Sequence, residues 1–173
     1  MKLLSSLAGG LAGAITVTII HEALRKTRPD APRLDETGKD ITNKLVQKMG
    51  RAPLTDKQAY AGSLVGELLA NTIYFSLAGS KVKHAFKTGS VLGLTAGLSA
   101  ISVPQKLGLN GSMNGSHTEM AKSRKWLTVG LYLAGGLVSA AVAKWLENRR
   151  KQSLVSPYNP PVESYKPVVD ITV

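Results

Sequence analysis

Residues 85–103 read AFKTGSVLGLTAGLSAISV, and within them Gly89, Gly93 and Gly97 recur at strict four-residue spacing in an otherwise apolar run. A helix of that length, rising about 1.5 Å per residue, comes close to crossing the ~30 Å hydrocarbon core of a bilayer. Lipid tails are as apolar as leucine, so helices associate there through close backbone approach, which small residues one turn apart permit. The stretch predicts a membrane-crossing helix with one smooth face, stopped by Pro104.

Three further stretches share this character. Residues 3–20 (LLSSLAGGLAGAITVTII) carry Gly9 and Gly13, residues 60–79 (YAGSLVGELLANTIYFSLAG) carry Gly62 and Gly66, and residues 126–145 carry Gly135, Ser139 and Ala143. Thr55 with Gln58 three residues later is a helix-start signature ahead of the second stretch. Trp126 and Trp145 fall about 28 Å apart on a helix, which places the two indoles at opposite headgroup levels as interface anchors. Helices of a soluble bundle would need a polar face, whereas these show mainly Ser, Thr and Gly between their apolar positions. A removable signal peptide does not fit residues 3–20, since no small-residue cleavage site precedes the charged residues 21–28.

The expected fold is therefore all-α and polytopic. Four transmembrane helices make up a membrane domain over residues 1–151, with both termini on one side, and an extended Pro-rich tail follows over 152–173. The link around residues 81–83 is short enough to make the second and third spans a helical hairpin. Between the first two spans, residues 36–49 place Ile41, Leu45, Val46 and Met49 on one helix face with Lys39, Asp40, Lys44 and Lys48 elsewhere. Such an amphipathic helix lies in the membrane interface, on a partner, or on the mouth of its own bundle.

Charge and composition narrow the function classes. Of 173 residues, 22 are Lys or Arg and 11 are Asp or Glu, a net charge of +11, yet the bases flank the apolar stretches with no aromatic-basic platform and no zinc-finger spacing. Nucleic acid is excluded on those grounds, and anionic lipid headgroups are the expected counter-charge. The bases divide almost evenly between the two sides, so the positive-inside rule selects no orientation beyond a slight lean of residues 25–33 towards the cytoplasm. With no cysteine there are no disulfides, thiolate metal sites or cysteine nucleophiles. His21-Glu22 opens like a zinc-protease helix, but position 25 is Arg rather than the required second His. His21, His84 and His117 fall on different sides of the four-span topology, so no metal, haem or other cofactor is expected. The sequons at Asn110 and Asn114 reflect the Gly/Asn/Ser composition of their loop.

Glu67 is the one acid inside an apolar stretch, and an ionisable group at mid-span costs several kcal/mol unless it faces the bundle interior, pairs or is protonated. Asn71 lies one turn later and Ser63 one turn earlier, forming a polar stripe that Thr16 or Thr95 from a neighbouring helix would complete. With no nucleotide loop or nucleophile elbow, the first functional expectation is a non-catalytic accessory or structural subunit of a larger membrane complex. It would dock on other membrane subunits through the faces of Gly9, Gly13, Gly62, Gly66, Gly89, Gly93, Gly97 and Gly135 and through its tail. The alternative is a small oligomeric transporter or channel with a protonatable site at Glu67. A third reading is a lipid-binding protein that uses the Ile41, Leu45 and Met49 face.

Overall fold

Helix forms wherever these stretches run without an internal breaker. The computed structural model describes residues 2–28, 31, 34–80, 82–106 and 122–154. These residues form α1 (Lys2–Thr27), α2 (Leu34–Lys48), α3 (Asp56–Ser76), α4 (Ala85–Lys106) and α5 (Lys122–Leu154), with no strand among them. At the start of α3, Thr55 Oγ1 accepts from the Gln58 amide at 3.4 Å while Gln58 Oε1 accepts from the Thr55 amide at 3.0 Å. This reciprocal cap satisfies two otherwise orphaned N–H groups.

Among the described residues, three helices are long and apolar enough to cross a membrane: Leu3–Thr27, Val82–Pro104 and Lys122–Ser153. The second apolar stretch, expected over 60–79, forms α3, which begins four residues earlier with Asp56, Lys57 and Gln58 and gives way at Leu77–Gly79 to a 3-10 turn. Those polar residues, with Glu67 and Asn71, keep it outside the set of three. Other limits also shift. Pro104 does not stop α4 outright: its ring forgoes the amide bond to the Ala100 carbonyl, its fixed φ is still helical, and the helix ends two residues later at Lys106. α5 is 33 residues long and runs through Leu154, so the start of the expected tail is helical; residues 155–173, like the loop over 107–121 with its sequons and His117, lie outside the described residues.

The helices pack in the order α3, α1, α5, α4, with α2 laid on α3. Glycine sets this order. A Cβ built on Gly9 would stand 2.7 Å from Ser139 O and 2.8 Å from Ala143 Cβ, and one on Gly13 would stand 2.9 Å from Ser139 Cβ, so α1 and α5 run antiparallel with their backbones nearly touching. On the other side of α5, the expected triplet lies along a single seam: Gly89 against Gly136 and Ala140, Gly93 against Leu133 and Tyr132, Gly97 against Val129. A glycine outside the predicted faces, Gly10, brings α1 against Thr72 and Ser76 of α3. α3 and α4 are joined by the 3-10 turns Leu77–Gly79 and Val82–His84 as the short link implies, but each packs mainly on a different neighbour. They meet where the Tyr74 hydroxyl reaches Thr95 Oγ1 at 2.6 Å.

Between the glycine seams sits a small core of Val17, Leu34, Phe75, Leu131 and Tyr132. Beside it the buried Ser139 hydroxyl donates to the Phe75 carbonyl at 2.8 Å, tying α5 to the last turn of α3. Interhelical hydrogen bonds of this kind contribute about 0.6 kcal/mol on average in membrane bundles. Ser139→Ala, which removes the donor but keeps the small volume, is expected to lower the thermal midpoint in detergent by only about 1–3 °C. A fall as large as that of a core truncation would show that the contact carries more than one bond.

Candidate functional site

Glu67, Asn71 and Ser63 do share a face of α3, but the structure divides them. Ser63 is buried against α2, where a Cβ on Gly38 would stand 2.8 Å from its own, and its hydroxyl donates back to the Tyr60 carbonyl. Gly62 meets Thr42 of the same helix, whereas Gly66 faces open space. Glu67 and Asn71 point further into the bundle. Glu67 Oε1 and Asn71 Nδ2 are both shut off from solvent with no hydrogen-bond partner among the described residues.

The groups that face them come from every neighbouring element. From α5, the buried Tyr132 brings its hydroxyl to the Asn71 carboxamide and lies in the field of Glu67. From α1, the buried His21 offers an imidazole whose positive form attracts the Glu67 carboxylate, while Glu22 repels it. From α2, Asp35 repels Glu67 as well, and its side chain is only 10% exposed, with Oδ1 buried and unpartnered among the described residues. Thr37 Oγ1, also on α2, is a fourth such atom.

Thr16 and Thr95 do not complete the stripe. Each bonds back to a carbonyl of its own helix, Thr16 to Ala12 and Thr95 to Val91, as hydroxyls in helices commonly do, and Thr95 adds its bond to Tyr74. The residues that do face Glu67 left a faint trace in the sequence. Gly9, Gly13, Val17 and His21 follow one another at four-residue spacing, so the face that packs on α5 ends in an imidazole. Tyr132 stands three and four residues before Gly135 and Gly136, on the packed side of α5.

A clasp of charges closes the nest at its upper edge. Arg25 pairs with Glu22 at 2.8 Å, lies 3.9 Å from Asp35 and sits 5.7 Å above the Tyr60 ring, while the Tyr60 hydroxyl donates to Glu22 at 3.0 Å. Glu22 therefore pairs with Arg25, three residues on along the same helix. Outside the clasp, Lys39 bridges Glu36 at 3.0 Å and Asp56 at 2.8 Å, fastening α2 to α3, and Asp56, then Glu36, hold its ammonium above the usual lysine range.

Three carboxylates, Glu22, Asp35 and Glu67, thus face one guanidinium and one imidazole. Fully ionised, the three carboxylates outnumber the guanidinium by two charges. No three His, Asp or Glu among the described residues are grouped to share a metal ion. An excess of negative charge held away from water is costly. Trp126 and Trp145 are exposed on α5, the latter beneath Arg149, 5.5 Å from its ring. Comparison with protein-family models, curated proteins and solved structures gives no match to this chain.

Proposed function

We propose that the chain is a non-catalytic integral membrane protein that crosses the bilayer four times and moves protons, or a small solute coupled to protons, through the nest around Glu67. α3 supplies the fourth crossing. It runs antiparallel to α1, turns Val65, Leu69 and Ile73 outward, and directs Glu67 and Asn71 inward, so its mean hydropathy understates how well its outer face suits lipid. Four crossings leave both termini on one side, with α2 along the interface. The observation that carries the reading is the convergence of His21, Asp35, Glu67, Asn71 and Tyr132 from four helices, with Asp35 Oδ1, Glu67 Oε1 and Asn71 Nδ2 buried and without a hydrogen-bond partner among the described residues. Intramembrane ionisable groups of this kind mark proton relays and substrate pathways.

The test is decay of an imposed pH gradient in vesicles that hold the full chain and an internal pH dye. Glu67→Gln, which keeps shape and hydrogen bonding but removes the titrating group, is expected to slow the decay at least tenfold. Decay at the wild-type rate would end this reading.

A second reading, a subunit docked in a larger membrane complex, is supported by a different feature. Gly66 lies open on the outer face of α3 beside Val65, Leu69 and Ile73, a shallow small-residue notch for another span. Most other predicted glycine faces already meet partners inside the chain. Mass spectrometry after gentle detergent extraction distinguishes the two, since a chain that emerges alone leaves the notch empty and this second reading without support.

A further inference from the structure

The apolar stripe of α2 is continuous: Leu34, Gly38, Ile41, Leu45 and Met49 follow at spacings of four, three, four and four. Only its first part is used by the bundle. Leu34 joins the core and Gly38 sits on Ser63, but exposure then climbs along the same face, from 9% at Leu34 through 42% at Ile41 and 58% at Leu45 to 73% at Met49. The helix therefore overhangs the bundle, and the face pressed onto α3 at one end is presented at the other to whatever surrounds α3.

The residues next to this half of α2 are those around the start of α3: Asn43 Oδ1 accepts from the Leu54 amide at 3.0 Å and Thr42 lies against Gly62. The stripe is bordered by Lys44 and Lys48 and followed by Arg51, all exposed. None of these three forms an ion pair within the described residues, in contrast to Lys39 on the bundle side. Lysines beside an apolar stripe carry their ammonium groups up to the headgroup layer while their stems lie in hydrocarbon. Each base held near an anionic surface adds about 1 kcal/mol of attraction.

We infer that the C-terminal half of α2 is a binding surface for anionic lipid, with Ile41, Leu45 and Met49 seated in the acyl boundary and Lys44, Lys48 and Arg51 on the headgroups. This rests on the membrane reading above but not on the role given to Glu67. The absence of native cysteine allows clean single-site labelling of the full chain.

A fluorophore at Met49→Cys is compared with one at Gln47→Cys on the opposite face and one at Leu94→Cys on the exposed side of α4. The vesicles are phosphatidylcholine alone or phosphatidylcholine with about a third phosphatidylglycerol. A nitroxide-bearing lipid is expected to quench the position 49 label at least threefold more than the position 47 label in the anionic vesicles. Leu45→Asp, or Lys44→Gln with Lys48→Gln, should cut that difference by half or more. Equal access of aqueous iodide to positions 47 and 49 overturns the inference, as does quenching indifferent to phosphatidylglycerol and to the lysines. Shielding of position 49 that disappears on dilution with lipid, together with energy transfer between labels, would identify a second copy as the occupant and also overturn it. If the position 94 label escapes the lipid quencher too, the membrane reading itself is wrong.

Discussion

Gly136→Val will dismantle the bundle. The Gly89 carbonyl already overlaps the place where a Cβ on residue 136 would stand, with the Gly89 carbonyl carbon and the Gly93 amide each 3.1 Å away, so every obstacle is backbone. Flexible side chains can yield to an added methyl group, but two helix backbones in contact must separate instead. Their separation opens the seam along Gly89, Gly93 and Gly97, whose packing holds α4 to α5. Overpacking of this kind costs about 3 kcal/mol or more, equivalent to a fall in thermal midpoint of about 6–12 °C for a chain of this size. Circular dichroism or intrinsic tryptophan fluorescence during heating in mild detergent reads the change. Gly66→Ala and Gly130→Ala are the controls: nothing lies within 4 Å of either position, and alanine suits a helix better than glycine by about 0.5–1 kcal/mol, so both should hold or slightly raise the midpoint. Equal losses at positions 66 and 136 would refute the packing order described here.

Phe75→Ala is the second large effect. The ring is fully buried, meets Tyr74 edge-on with centroids 5.7 Å apart, and lies over Gly135, where a Cβ would stand 3.2 Å from Phe75 Cε2. In water such a truncation costs about 3–5 kcal/mol, part of it from transfer of the ring to solvent. In a bilayer the unfolded helices remain in an apolar medium, so much of the transfer part drops out and the lost packing around the cavity is left. The expected cost is about 2–3 kcal/mol, with Phe75→Leu roughly half of it. Denaturation by a graded mixture of mild and harsh detergents measures both. A variant as stable as wild type would mean that α1, α3 and α5 do not close on this ring.

How far the sequence alone led depended on whether a signal was local. The glycine triplet of α4 was visible because periodicity along one helix is a property of one segment, and the Thr55 cap because both partners lie three residues apart. Pairing was not visible. Gly9 and Gly13 offer a smooth face that any of the other helices could have met, and only the assembled bundle shows α5 in that place. For the same reason Glu67 stood out as an acid in an apolar run while its surroundings did not. Asp35 reaches it from α2, Tyr132 from α5, and His21 opens the charged segment 21–28 that follows the apolar run of α1. A hydropathy average over α3 also carries no record of which residues point where: Val65, Leu69 and Ile73 are exposed, while Glu67 and Asn71 each hold an atom shut off from solvent.

The order of packing has a bearing on how the chain is made. Of the five described helices α5 is the last to be synthesised, yet it stands between α1 and α4 and supplies the facing surface for both. Until it arrives, two glycine-lined furrows, one on α1 and one on α4, stay uncovered, and both helices wait without their principal neighbour. Assembly is thus a closing step and not a gradual zippering, and a nascent chain released short of residue 122 would present those furrows to any other helix it met.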